Sequence, residues 1–281
     1  MKKTFFLAIV SVFFLSVTQS FALPVGNPTG ASLFFYEVPK GACCTAENIF
    51  CLDAVRVGLG FYGDYVFNRN LETVTGKKVD YSRMYTNAGY LSLNFWNVFD
   101  VYTALGATQF TFNTSLGPFN STNPSPRFDF KSSNAFSWSI GARGTIWKYK
   151  CTSLGVMSQY FSSCPSAKAL FIRANVDAHP DQGSRRRYSE WQLGAGVSYR
   201  YNCYFIPYAA LKYTRALWEF NNQSFLVTDT LATLPNLRNG KCFGYAIGLE
   251  LAPFKCEKIV VTVEGRFADE NAVYINGHLY F

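Results

Sequence analysis

After its first two dozen residues the chain never gathers the run of about 18 apolar residues that a membrane helix needs, yet it alternates apolar and polar side chains over stretches of about 10 to 14 residues. In VRVGLGFYGDYVFN, Val55, Val57, Leu59, Phe61, Tyr65 and Phe67 share one face of an extended segment, opposite Arg56, Gly58, Gly60, Asp64 and Asn68. In NAFSWSIGARGTIW, Phe136, Trp138, Ile140, Ala142 and Ile146 oppose Ser137, Ser139, Arg143 and Thr145. SEWQLGAGVSYR sets Trp191, Leu193, Ala195, Val197 and Tyr199 against Glu190, Gln192, Ser198 and Arg200. FGYAIGLEL and KIVVTVEGRF repeat the pattern, with Glu250, Glu264 and Arg266 on the polar face. An aromatic share of 18% against 16% charged residues, at a mean hydropathy near zero, agrees: oily and polar residues are interleaved, not blocked.

A soluble sandwich alternates as well, so strand length has to separate the two. Globular strands usually end near 5 or 6 residues, whereas a tilted strand crossing a bilayer needs about 9 to 11. Hydrocarbon offers a free sheet edge no hydrogen-bond partner, so crossing strands must close on themselves. The expected fold is an all-β transmembrane antiparallel barrel with an even strand number, roughly 10 to 16. Its joins are alternately short (97–100, 148–150, 201–202, 252–255) and long (69–83, 113–133, 162–187, 216–241), and each of the two longest could hide another hairpin, for example around 169–176. Outer-membrane barrels carry short periplasmic turns and long outer loops, which assigns the first set to the periplasm. Trp96, Trp147, Tyr149, Tyr201 and Tyr204, beside those short turns, are expected in an aromatic girdle. The last strand, VYINGHLYF, places Val273, Ile275, Gly277, Leu279 and Phe281 on one face, and its terminal Phe281 resembles the signal that barrel-assembly machinery reads.

Residues 1–22 read as a cleaved export signal: Lys2 and Lys3, an apolar stretch, then Ser20 and Ala22 before the cut. Residues 23–53 form a cysteine-containing lead-in on the periplasmic side, with a possible first strand, and 54–281 the barrel. Without the two signal lysines, 24 basic residues face 18 acidic ones, and apart from Arg185, Arg186 and Arg187 they are spread out, so no nucleic-acid patch is expected. All eight cysteines follow the cut: Cys43, Cys44, Cys51, Cys151, Cys164, Cys203, Cys242 and Cys256. In an exported chain they point to disulfides, and the absence of C-x-x-C pairs argues against a metal. Adjacent Cys43 and Cys44 are expected to take separate partners, whereas Cys164 and Cys242 both map to the outer side and could bridge each other.

LPVGNP at residue 23, CLDAVRVGLGFYGDYVFNR, TNAGYLSLNFWNVFDVYTALGAT, FSWSIGARGTIW, EWQLGAGVSYRYN and VTVEGRFADENAVYINGHLYF resemble, in order, the chlamydial major outer membrane protein family. The resemblance implies an outer-membrane porin, trimeric, weakly anion-selective, and disulfide-linked to cysteine-rich envelope proteins. It also implies sixteen strands and variable, immunodominant outer loops. This chain departs from the family in having much shorter segments at 113–133, 162–187 and 216–241, which puts the strand number and the antigenic or adhesive roles in question.

A pore needs a wet lumen, and the polar faces supply one. Arg56, Asp64, Arg143, Glu190, Arg200, Lys212, Glu250, Glu264 and Arg266 are expected to line it; their slight basic excess predicts a weak preference for anions among small hydrophilic solutes. The competing expectation is a structural or adhesive barrel whose charges pair and fill a narrow interior. The run at 185–187 is expected in an outer loop, constricting the pore, binding lipopolysaccharide phosphates or simply solvated. An enzyme is not expected, since only His179 and His278 could act as imidazole bases, and no cofactor is implied.

Overall fold

The computed structural model describes residues 24, 26–30, 55–74, 76–115, 127–172, 176–177, 186–201, 204–220, 224–227, 230–233, 236–252 and 259–281. Ten long strands form its wall: β1 (Val55–Arg69), β2 (Tyr81–Phe95), β3 (Phe99–Ser115), β4 (Ala135–Tyr149), β5 (Thr152–Ser163), β6 (Arg187–Tyr199), β7 (Phe205–Glu219), β8 (Phe243–Leu251), β9 (Ile259–Phe267) and β10 (Glu270–Tyr280). Each pairs antiparallel with its neighbour in sequence. β10 then returns to β1, from Gly58 opposite Tyr280 to Arg69 opposite Glu270, so the sheet closes. The sixteen strands implied by family resemblance are not what the described residues form. Of the two joins expected to hide a hairpin, 162–187 supplies Ala167–Ile172 and Val176–Asp177, which with Arg127–Ser132 build a flap that extends β3 beyond the barrel instead of adding to its wall, and 216–241 holds a small hairpin of Ser224–Val227 with Thr230–Thr233.

Shorter joins link the strands at one end and longer ones at the other, except that β9 and β10 meet at the long-loop end in a two-residue turn, residues 268–269. Between β2 and β3, the Val98 N–H donates to the Phe95 carbonyl at 3.0 Å across Trp96 and Asn97, both at positive φ. Two successive positive φ values make the tight hairpin turn whose twist suits the flanking strands. The Phe281 N–H donates to the Val57 carbonyl at 2.9 Å, extending the β10–β1 seam to the last residue.

The barrel is inside out relative to a soluble core. Phe61, Leu105, Phe136, Ile140, Leu211 and Ile275 stand exposed on its outer face, while the alternate residues are buried inside. At the short-turn rim Trp96, Trp147, Tyr149, Tyr201 and Tyr204 all face outward. A second belt, not foreseen from the sequence, circles the wall toward the long-loop end. Trp138 packs on Tyr160, Trp191 on Tyr213, Tyr213 on Phe243 and Tyr245 on Phe267, with ring centroids 5.0–5.6 Å apart. Two aromatic belts flanking an apolar band are what a membrane's two interfaces require. Leu211, 71% exposed near the middle of β7, is therefore a lipid-facing residue. Leu211→Arg should cost roughly 2–4 kcal/mol, read as a lower urea midpoint in lipid vesicles, while Leu211→Phe should leave the midpoint unchanged.

Candidate functional site: the barrel interior

The structure describes each residue that sequence parity placed in the lumen, eight of them on wall strands and Arg200 just past the end of β6. Asp64, Glu190, Lys212, Glu250, Glu264 and Arg266 are buried; Arg143 is largely so, and Arg56 and Arg200 sit partly exposed at the short-turn mouth. The interior nevertheless differs from an open, uniformly wet channel, because it is filled in three layers.

Toward the long-loop end the inward side chains turn apolar. Phe110, Phe112, Phe161, Tyr188 and Trp218 from four wall strands meet Phe130 of the flap and Phe220. Trp218 stacks on Phe220 at 5.5 Å and meets Phe110 edge-on at 4.6 Å, while Phe112 stacks on Phe130 at 4.8 Å. Offset stacks and edge contacts at such spacings add to the burial of the rings, so this layer is a genuine hydrophobic core sealing the mouth. Its trace in the sequence is parity without a break. Lys212, Thr214, Ala216, Trp218 and Phe220 continue one inward stripe, as do Thr108, Phe110 and Phe112. Here the inner face departs from the polar lining of the rest of the wall, because these rings pack against the flap.

Beside that layer lies a buried charge cluster. The Arg69 guanidinium is 2.7 Å from Glu190 and also donates to the Tyr188 hydroxyl, which in turn donates to Glu190. Arg69 was not expected inside; a register shift between Val66 and Asn68 turns it inward. Arg266 contacts Asp64 and lies 3.1 Å from Glu270, while Lys212 contacts Glu270 and lies 3.1 Å from Asp269. Tyr208 donates to Glu264 at 2.8 Å. In the hairpin turn outside the wall strands, burial pushes the Asp269 carboxyl up to about 6 against the pull of Lys212. This end of the cluster therefore takes up a proton on mild acidification, which weakens its bond to Lys212.

The short-turn half holds tyrosines, a smaller ion pair and a piece of the chain itself. Arg143 Nε donates to Asp100 at 2.8 Å, and Arg143 Nη2 to the Tyr280 hydroxyl at 3.3 Å. Tyr62, Tyr90, Tyr102 and Tyr274 form a buried cluster. Residues 24 and 26–30 lie inside the barrel against this half of the wall and are buried throughout. Among the described residues, a cavity of about 20 Å³ is lined by Pro24, Gly26, Ser139, Gln159, Asn276 and the tyrosines. Ser139 Oγ and Asn276 Oδ1 have no protein partner, so the cavity suits one water. His278 is buried, 3.2 Å from Ser92 Oγ and stacked on Tyr280 at 3.9 Å, which is a packing environment; His179 lies outside the described residues.

Among the described residues, the interior holds more charges than the sequence-read set. To the five basic and four acidic residues read from the sequence, the structure adds Arg69 and Arg186 on one side and Asp100, Asp269 and Glu270 on the other, making seven of each. Arg186 reaches over the Phe130 ring at 5.4 Å, whereas Arg187 faces outward and donates to the Tyr160 hydroxyl at 3.1 Å; Arg185 lies outside the described residues. Cys151 and Cys164 are exposed and unbridged, and Cys242 is half-buried and unbridged, so the expected Cys164–Cys242 bridge is not formed here. Cys43, Cys44, Cys51, Cys203 and Cys256 lie outside the described residues. Among the described residues no cluster of metal-ligating side chains occurs.

The family model described as Chlamydia major outer membrane protein matches residues 1–83, 72–123 and 127–180, more than half of the chain. The chain is 28% identical to a protein of Chlamydia psittaci named major outer membrane porin, over 92% of this chain and 95% of that one. A protein of Chlamydia pneumoniae with the same name is 27% identical, with both chains covered in full. Among solved structures, the translocator domain of the autotransporter NalP from Neisseria meningitidis matches at a TM-score of 0.43 and 10% identity, covering 81% of this chain and 87% of that one.

Proposed function

Because the chain belongs to the Chlamydia major outer membrane protein family and folds as an outer-membrane β-barrel, we propose that it is a porin passing small hydrophilic solutes and ions by diffusion. The observation that carries this reading is the inward wall, with polar side chains on every strand and charged ones on eight of the ten, where a lipid-facing wall would be apolar. With seven charges of each sign named among the described interior residues, the proposed current is only weakly selective, and any anion bias comes from Arg56 and Arg200 at the short-turn mouth, which we assign to the periplasm. The aromatic layer fills the long-loop end in the described conformation, so conduction needs Phe130 of the flap and Phe220 to move off the wall aromatics. Tyr160, Trp191 and outward-facing Arg187 suit lipid headgroup phosphates at the outer interface. The exposed Cys151 thiol, in a short turn, supports a second role in disulfide links to neighbouring envelope proteins.

A second reading, a non-conducting structural barrel, is favoured by that same packing, since a narrow barrel filled with paired side chains leaves no continuous water path. Planar-bilayer recording of the refolded protein separates the two. The porin reading expects small, brief steps with a reversal potential close to zero in a salt gradient. Silence from protein shown to be inserted would establish the structural barrel instead.

A further inference from the structure

We propose that the short-turn half of the lumen is a peptide socket and that its occupant, the chain's own Pro24–Gly30 stretch, is a removable plug; the idea deepens the porin reading by naming what closes the path at that end. The segment is held from several sides of the wall. Gln192 of β6 donates to the Pro24 carbonyl at 3.0 Å, the Asn27 amide donates to Glu250 of β8 at 2.7 Å, and the Thr145 hydroxyl of β4 donates to the Thr29 carbonyl at 3.4 Å. Thr29 Oγ1 and Ser198 Oγ share a hydrogen bond at 2.5 Å.

The socket is also shaped for it. Gly155 and Gly196 are cross-strand partners on the inner face; a Cβ on Gly155 would run into the Pro28 carbonyl oxygen, whereas one on Gly196 would meet the wall's own Ala209 carbonyl first and Pro28 Cγ at 3.0 Å. The plug is preorganised: the Thr29 N–H donates to Asn27 Oδ1 at 3.0 Å and the Gly30 N–H to the Asn27 carbonyl at 2.9 Å. A turn that holds its own shape loses little entropy on docking.

Removability follows from the chemistry of the contacts. These bonds to the wall are hydrogen bonds, which water can replace at modest net cost, unlike the ring stacks at the other end. The stretch from Gly30 to Val55 could span up to about 80 Å if extended, enough to let the plug leave while the barrel stays whole.

The test uses Ser198→Cys, whose position is buried under the plug and lies on a tryptic peptide, residues 188–200, that has no native cysteine. In the folded full chain, labelling of this thiol by a small charged reagent, read by mass spectrometry, is expected to be slow. Deleting residues 24–30 should speed it at least tenfold, and adding the peptide PVGNPTG should slow it again. Equal rates with and without the segment would overturn the proposal. If the deletion does not assemble, Asn27→Ala with Thr29→Val replaces it, with a several-fold increase expected and an unchanged rate overturning the idea. Conductance of the same variants keeps the porin reading separate: faster labelling without current would uphold the plug and defeat the porin, while current with unchanged labelling would do the reverse.

Discussion

Replacing Arg266 with methionine is expected to lower the stability of the barrel by about 3–5 kcal/mol, the cost of leaving a buried charge partner uncompensated. Arg266 is fully buried and lies against Asp64, Glu264 and Glu270, which come from three adjacent strands, β1, β9 and β10. Without it, these carboxylates repel one another with only Lys212 and Arg69 left nearby. The measurement is the urea midpoint in lipid vesicles, with gel migration before and after boiling as a check of folding. Pairing the change with Asp64→Asn should restore part of the loss, because one of the orphaned charges goes with it. An unchanged midpoint would mean that the cluster is hydrated, and the barrel correspondingly more open than its packing indicates.

Trp218→Ala should have a comparable effect on stability and a larger one on function. The indole is buried among Phe110, Phe112, Phe130, Tyr188 and Phe220, and truncating a large aromatic in such a site costs about 3–5 kcal/mol through lost burial and the cavity left behind. The cavity would also open at the mouth that this layer seals, so the porin reading expects larger or longer conductance steps than in the unmodified protein. Leu217→Ala, one residue away on the lipid face, is the control and should alter neither step size nor dwell time. A destabilised Trp218→Ala barrel with unaltered steps would show that the current, if any, does not pass this layer.

These two sites differ in how far they could be read in advance. Arg266 and Glu264 announce themselves, since a charge at every second position of an otherwise oily strand has only one side of a membrane barrel to occupy. Trp218 gives the opposite impression: an aromatic near a strand end suggests an interfacial girdle, and only its parity with Lys212 and Thr214 betrays that it points inward. Asp269 and Glu270 were out of reach, because their role depends on a two-residue hairpin turn folding back over Lys212.

What the sequence determined by itself is what local period governs: which residues are extended, which face of most strand positions meets lipid, and the short turns at the rim opposite the long loops. The reason is that side-chain alternation in a strand is exact and the bilayer penalises a slip by a whole face of misplaced residues. Only the tertiary structure decided the strand number, the filling of the lumen and the seat of Pro24–Gly30. Closure is set by long-range pairings such as Arg69 with Glu270, and a segment lodged between Gly155, Ser198 and Glu250 meets residues that lie more than a hundred positions away in the chain.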